Sequence, residues 1–194
     1  MASITTELVV IGAGPGGYTA AFYAADKGKR VVLVDDDKRL GGVCLNRGCI
    51  PSKALLHATE LMREAKGSSS IRGITYGEPK VHLETLRAWK ESILEKLAQG
   101  ISHLGQRRGI EILRGRGVFA DSHTLQVQTP GGPTQVAFDH AVIAVGSQPA
   151  LPSAFALGSD RIMTSTEALE LPEIPEHLLV VGGGYIGMEL GTVY

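Results

Sequence analysis

The stretch that most constrains the fold runs from Glu7 to Val34. An apolar run, "ELVVI", is followed by a glycine cluster, "GAGPGG", a segment "YTAAFYAADKGK" and a second apolar run, "RVVLV". This reads as strand, turn, helix and strand. Runs apolar on both faces suit a parallel sheet covered by helices, and Gly28 punctuates the end of the helix. Within the cluster, Gly12, Gly14 and Gly17 fit G-x-G-x-x-G, with Pro15 and Gly16 inside the turn. Gly12 permits the tight turn, Gly14 the approach of a pyrophosphate to backbone, and Gly17 the packing of helix on strand. Asp35 ends the second strand, 23 residues beyond Gly12, where a carboxylate accepts hydrogen bonds from ribose hydroxyls. The plainer reading is a glycine-rich βα turn with a solvated aspartate; Asp36 and Asp37 read as surface charges. A second cluster, "GGGYIG", supplies Gly182, Gly184, Tyr185 and Gly187 after "LLVV". Two such fingerprints imply two dinucleotide sites, and the natural pair for passing electrons is a flavin and a nicotinamide.

Between the two clusters, "ALLHATELMREAKGSSS" reads as a helix running into a Ser/Gly-rich loop. His82–Leu104 places Leu83, Leu86, Ile93, Leu94, Leu97, Ile101 and Leu104 near helical spacing, a long amphipathic helix. "IEILRGRGVF", "TLQVQT" and "QVAFD" read as short strands with "PGGP", Pro130–Pro133, as a hairpin turn, and "HAVIAVGSQP" returns to a buried run. The expected fold is α/β. A Rossmann-like dinucleotide-binding domain with a parallel sheet and an inserted small antiparallel β-meander covers residues 1–149. A proline-punctuated connector covers 150–176, and 177–194 begin a second Rossmann-like domain.

Both cysteines fall within "GGVCLNRGCIPSK", Gly41–Lys53. The formal charge is -1, from 19 basic and 20 acidic residues, which gives no electrostatic reason to expect nucleic acid or a membrane surface as partner. No apolar run approaches the roughly 20 residues that span a bilayer, and the start carries no basic n-region, so the cytosol is the expected compartment. There, close cysteines are more often catalytic or metal-binding than structural. On an ideal helix residues five apart point about 140° away from each other, so a bridge between Cys44 and Cys49 needs bent backbone. Gly48 supplies freedom, and Pro51 disfavours regular helix just before it. A strained bridge is easily reduced and can serve as a redox centre, and Lys53 near a helix start favours thiolate. A zinc site and inert core thiols are the alternatives; zinc lacks ligands, since His57, His82, His103, His123, His140 and His177 show no metal spacing.

"GGVCLNRGCIPSKALLH", with "GAGPGGY", "AVIAVGSQP" and "GGGYIGMELGTVY", resembles the flavin-dependent pyridine-nucleotide disulfide oxidoreductases, and most of all their dihydrolipoamide-oxidising branch. The resemblance implies that Gly12, Gly14, Pro15, Gly16 and Gly17 cradle the pyrophosphate of FAD, and that Asp35, where many members have Glu, holds the adenosine ribose. Gly41, Gly42, Val43 and Cys44 would continue along the flavin, while Gly117, Ala144, Gly146 and Ser147 offer backbone to the adenine and pyrophosphate ends. Gly182, Gly184, Tyr185 and Gly187 would belong to the NAD site, Tyr185 standing where glutathione reductases carry a gating tyrosine. Lys53 would lie beside the flavin ring, paired with Glu189. The catalytic set is therefore Cys44, Cys49, Lys53 and Glu189, with no metal.

The resemblance further implies a mechanism. Dihydrolipoamide attacks Cys44, Cys49 is released as the charge-transfer thiol, and electrons pass through FAD to NAD+. Expected partners are a second copy in a homodimer, whose interface domain supplies a histidine base, and the lipoyl domains and core of 2-oxo acid dehydrogenase complexes. This stretch is expected to carry the FAD domain and only the start of the NAD domain, and so to be inactive alone. Glutathione or mercuric reductase chemistry, or a non-catalytic FAD-binding fragment, are the other readings.

Overall fold

The computed structural model describes residues 2–67, 73 and 76–194; the Ser68–Ser70 loop expected from the sequence lies outside the described residues. The elements in order are β1 (Ala2–Ile11), α1 (Pro15–Asp26), β2 (Val31–Asp35), α2 (Gly42–Arg47), α3 (Cys49–Gly67) and α4 (Leu83–Arg107). Then come β3 (Glu111–Arg114), β4 (Arg116–Asp121), β5 (Thr124–Thr129), β6 (Gly132–Ile143), a 3-10 turn at Ser153–Phe155, α5 (Ser165–Leu169) and α6 (Tyr185–Val193). The chain divides into two compact units, one of Met1–Asn46 with Glu95–Ser147 and one of Arg47–Leu94 with Gln148–Tyr194.

The first unit is built on a six-stranded sheet in the order β3-β2-β1-β6-β5-β4. β1 pairs in parallel with β2 and β6, and β2 with β3, whereas β5 runs antiparallel to β4 and β6. Side chains alternate across a strand, and both sides of β1 and β2 are covered. Val9, Ile11, Val32 and Val34 meet Leu125, Val127, Val136 and Phe138 of the meander strands. On the other face Val10, Val31 and Leu33 meet Ala21, Tyr18 and Phe22 of α1 and Ile101 of α4. Each such side chain contributes about 1.5–3 kcal/mol by leaving water. The α/β fold with parallel sheet and antiparallel meander is as expected, and Gly28, two residues past the end of α1, takes a φ of +80° that favours glycine.

Two strand boundaries differ from expectation. "IEILRGRGVF" is two strands, because Gly115 takes φ +158°, its amide binds the Asp35 carbonyl, and a side chain there would meet the Gln128 carbonyl. "QVAFD" and "HAVI" are instead one strand, since β1 offers β6 a parallel partner from Ala2 to Ile11. "PGGP" makes the expected hairpin, with Thr129 opposite Gly132.

In the second unit Leu55 of α3, Leu190 of α6 and Ala168, Leu169 and Leu171 form the core, joined by Leu83 and Leu86 of α4. The expected strand "LLVV" is not formed, because Leu178–Val181 finds no partner strand among the described residues. A strand without a ladder leaves its backbone groups to water. The helix interruption expected between the cysteines lies at Gly48. Pro51, however, sits inside the first turn of α3, where a missing amide leaves no bond unmade.

Candidate functional site

The first glycine turn is a backbone-on-backbone contact. Gly12 has φ +98° and donates its amide to the Val34 carbonyl at 2.8 Å, and a side chain there would strike the Ala144 backbone. A side chain on Gly17 would land on the Gly12 carbonyl oxygen, so α1 starts directly against the turn. Gly14 is the N-cap of α1, Pro15 follows it, no side chain caps the helix and its first turn holds no acid. Helix amides left this way suit a phosphate. Gly41 donates to the Ala13 carbonyl at 2.9 Å, and a β-carbon on Gly42 would come within 2.5 Å of the Gly14 α-carbon. Gly41 and Gly42, with φ +115° and +60°, therefore bring the start of α2, with Val43 and Cys44, to the same turn. Ala144 joins it through its amide to the Ile11 carbonyl at 2.8 Å, with Gly146 and Ser147 following in the chain.

Asp35 lies at this turn as well. One carboxylate oxygen accepts the Ala13 amide at 2.5 Å and the other the Asp37 amide at 2.8 Å. Burial pushes its carboxyl above the usual aspartate range, opposed by these two hydrogen bonds. An ionised carboxylate has about four acceptor sites, so two remain for ribose hydroxyls. Gly117 lies on β4, paired with Val127 of β5, where its missing side chain makes room for Leu125, and Gly115 two residues before it donates its amide to the Asp35 carbonyl. Of the glycines at this turn, Gly12, Gly17, Gly41 and Gly42 are crowded enough to exclude a side chain, whereas Gly14 and Gly16 keep ordinary contact distances around the start of α1.

A second group of side chains stands on α3 and α6. Cys49 opens α3 and is exposed, and Lys53 follows it by one turn. Lys53 Nζ donates to Glu189 Oε1 at 2.6 Å. That bond raises the Lys53 pKa against partial desolvation, with Glu189, Cys49 and Tyr185 adding attraction, and it lowers the Glu189 pKa. Tyr185 opens α6 one turn before Glu189 and is 76% exposed. The turn before it repeats the first in part: Gly182 has φ +105°, Gly184 is an N-cap without a side-chain cap, and a β-carbon on Gly187 would come within 2.5 Å of the Gly182 carbonyl oxygen.

Sequence reasoning missed three residues here. Ala13 supplies the amide that holds Asp35, and no side-chain pattern marks such a contact. Ser52, 6% exposed, donates to the Cys49 carbonyl at 3.1 Å and also lowers the Glu189 pKa. Its place three residues after Cys49 was the available signal. Asn46, 8% exposed, donates to the Arg39 carbonyl at 3.1 Å, while its Oδ1 is a buried acceptor with no partner among the described residues. No group of three or more His, Cys, Asp and Glu side chains among the described residues could hold a metal.

The chain is similar to known proteins. The chain is 47% identical over 192 residues to a dihydrolipoyl dehydrogenase of Haemophilus influenzae and 44% identical over 192 residues to one of Geobacillus stearothermophilus. Those alignments cover 98% and 99% of this chain but 40% of either relative, so the chain spans less than half the length of the curated relatives it matches. Among solved structures, the HOCl-induced flavoprotein disulfide reductase RclA of Escherichia coli superposes with a TM-score of 0.79 at 27% identity, over 96% of this chain and 39% of that one. The glycine turns and the cysteine segment all lie within residues 6–194, the span matched by the pyridine nucleotide-disulphide oxidoreductase family, and to that family the chain belongs.

Proposed function

We propose that this chain is the flavin-binding and dithiol-bearing part of an enzyme that oxidises protein-bound dihydrolipoamide with NAD+, a dihydrolipoyl dehydrogenase. The observation that carries this reading is the Lys53–Glu189 bond of 2.6 Å one helical turn from the exposed Cys49. It places an oriented cation next to one of two cysteines in a protein that also has a dinucleotide cradle. The identities of 44–47% to dihydrolipoyl dehydrogenases support the substrate class.

On this reading Gly12, Gly14, Pro15, Gly16 and Gly17 hold the pyrophosphate of FAD, Asp35 the ribose, and Gly41 to Cys44, Gly117, Ala144, Gly146 and Ser147 line the rest of the cofactor. Gly182, Gly184, Tyr185 and Gly187 belong to the NAD site. The same reading divides the chain into an FAD-binding domain over 1–149, a connector over 150–176 and the start of an NAD-binding domain over 177–194. When bound, FAD supplies a two-electron acceptor between the dithiol and NAD+.

The steps on the protein's own residues are thiol–disulfide exchanges. A dihydrolipoamide thiolate attacks Cys44 of the Cys44–Cys49 disulfide, forming a mixed disulfide and releasing Cys49 as thiolate. The second substrate thiolate then attacks the substrate sulfur of the mixed disulfide, closing lipoamide and releasing Cys44 as thiolate. The substrate loses two electrons and the dithiol gains them. Lys53, oriented by Glu189, stabilises negative charge near Cys49.

The working enzyme is a homodimer in the cytoplasm that serves lipoyl domains and the core of a 2-oxo acid dehydrogenase complex. No described helix is long and apolar enough to cross a membrane. The test is NAD+-dependent oxidation of dihydrolipoamide by the holoenzyme together with its yellow colour; a protein that takes up no FAD overturns the reading. Tyr185 favours a second reading, a glutathione reductase type, and turnover of oxidised glutathione with NADPH in place of dihydrolipoamide would select it.

A further inference from the structure

Away from the cysteines, one face of α4 grips a single stretch of backbone. Leu83, Leu86, Arg87 and Lys90 share that face at three- and four-residue spacings. Arg87 donates through Nε to the Leu171 carbonyl at 2.8 Å and through Nη2 to the carbonyls of Leu171 and Pro172, the latter at 2.6 Å. Lys90, its side chain 2% exposed, donates to the Leu169 carbonyl at 2.8 Å, with carboxylates of Glu91 and Glu170 at 3.3 and 3.6 Å. The Tyr194 hydroxyl donates to the Ala168 carbonyl at 2.9 Å.

The backbone so gripped is strained. Leu171 has φ +49°, the one positive φ outside glycine among the described residues, at the position past a helix end where glycine is usual. Such conformations persist where the surroundings over-determine them. Here two cations hold the carbonyls from one side, and on the other the Leu171 side chain is packed with Leu55 of α3 and Leu190 of α6. Lys53 is two residues before Leu55, and Glu189 is the residue before Leu190.

We propose that Arg87 and Lys90 are positioning residues for the Lys53–Glu189 pair: by binding the carbonyls of Leu169, Leu171 and Pro172 they hold Leu171 where it sets α6 against α3. Apolar packing alone has no direction and leaves two helices free to slide by fractions of a turn. Hydrogen bonds from a buried cation and a two-nitrogen guanidinium grip have direction, and they fix the residue that both helices pack upon. The inference rests on the reading that the pair serves the redox reaction.

A double-mutant cycle in the flavin-loaded holoprotein tests it, reading the flavin reduction equilibrium and the thiolate–flavin charge-transfer absorbance. Glu189→Gln measures the direct effect of the pair. Lys90→Met should move the equilibrium in the same direction by about two- to thirtyfold, the span of coupling carried through packed networks. The double variant should match Glu189→Gln alone, which a general loss of stability would not produce. Arg87→Lys, which keeps a cation but loses the two-nitrogen grip, carries the same cycle where Lys90→Met gives no soluble holoprotein. If Glu189→Gln shifts the equilibrium and both α4 variants leave it unchanged, the positioning role is overturned while the proposed function stands. If Glu189→Gln itself has no effect, the pair does not serve the flavin and both fall.

Discussion

Each carboxylate oxygen of Asp35 accepts a backbone amide, from Ala13 and from Asp37, and burial still holds its carboxyl above the usual range. A raised pKa on an acid means that the folded state binds the proton more tightly than the unfolded chain. Stability from this group therefore falls as pH rises from the unfolded value of about 3.9 through the folded one. Asp35→Asn removes that slope and, by replacing an acceptor with a donor, leaves one amide unmet at a cost of about 1–3 kcal/mol. Denaturant unfolding should show the variant less stable in acid, with the gap narrowing as pH rises through that window; a gap that widens would contradict this. The cysteines give a sharper residue-level expectation. With FAD bound, Cys44→Ser should retain the charge-transfer band and Cys49→Ser should abolish it, both losing dihydrolipoamide turnover. The reverse pattern would exchange their roles. The Lys53–Glu189 bond was legible only through the family resemblance that joins the two motifs, whereas Ser52 and Ala13 were not, since what matters in them is a hydrogen bond to backbone or from it that only folding creates.

At the scale of elements, the chain depends on glycine on either side of α1 for two separable reasons. Gly28, at its end, has φ +80° with nothing within 4 Å of an added β-carbon. Gly12, at its start, has φ +98° and would drive that carbon into the Ala144 backbone. Gly28→Ala should cost only the left-handed penalty, about 1–2 kcal/mol, and leave FAD affinity unchanged. Gly12→Ala should cost more in thermal unfolding and lose FAD, measured by flavin fluorescence; equal behaviour of the two would mean that the contact with Ala144 is not what the turn requires. This turn was readable because period and spacing are local. The boundaries of β3, β4 and β6 were not, because they depend on which strand lies alongside. The α4 stripe shows the same limit: Leu94 is 1% exposed as the periodicity demands, but Leu97 and Leu104 are 44% and 43% exposed. Within the part of the helix that belongs to the first unit it is Ile101 that packs against the sheet cluster, so spacing alone did not tell which apolar residues of the stripe are covered.

At the scale of the whole molecule, apolar surface gathers where the second glycine turn stands. Leu179, Val181, Tyr185 and Met188 are 86%, 65%, 76% and 64% exposed, within ten consecutive residues. Monomeric proteins rarely leave such a patch open to water. Leu178–Val181 also finds no partner strand among the described residues, so the same residues offer an apolar face and backbone outside any ladder, the combination that promotes association between chains. The net charge of -1 gives no long-range repulsion to oppose this. A polypeptide of these 194 residues should therefore self-associate with rising concentration, as followed by sedimentation velocity. Leu179→Lys with Val181→Glu should shift it toward monomer in the same measurement. A 194-residue polypeptide that stays monomeric across the range would show that this patch does not drive association. A charged variant that associates as before would place the cause elsewhere, with the exposed Ile143 and Val145 as the next surface to alter.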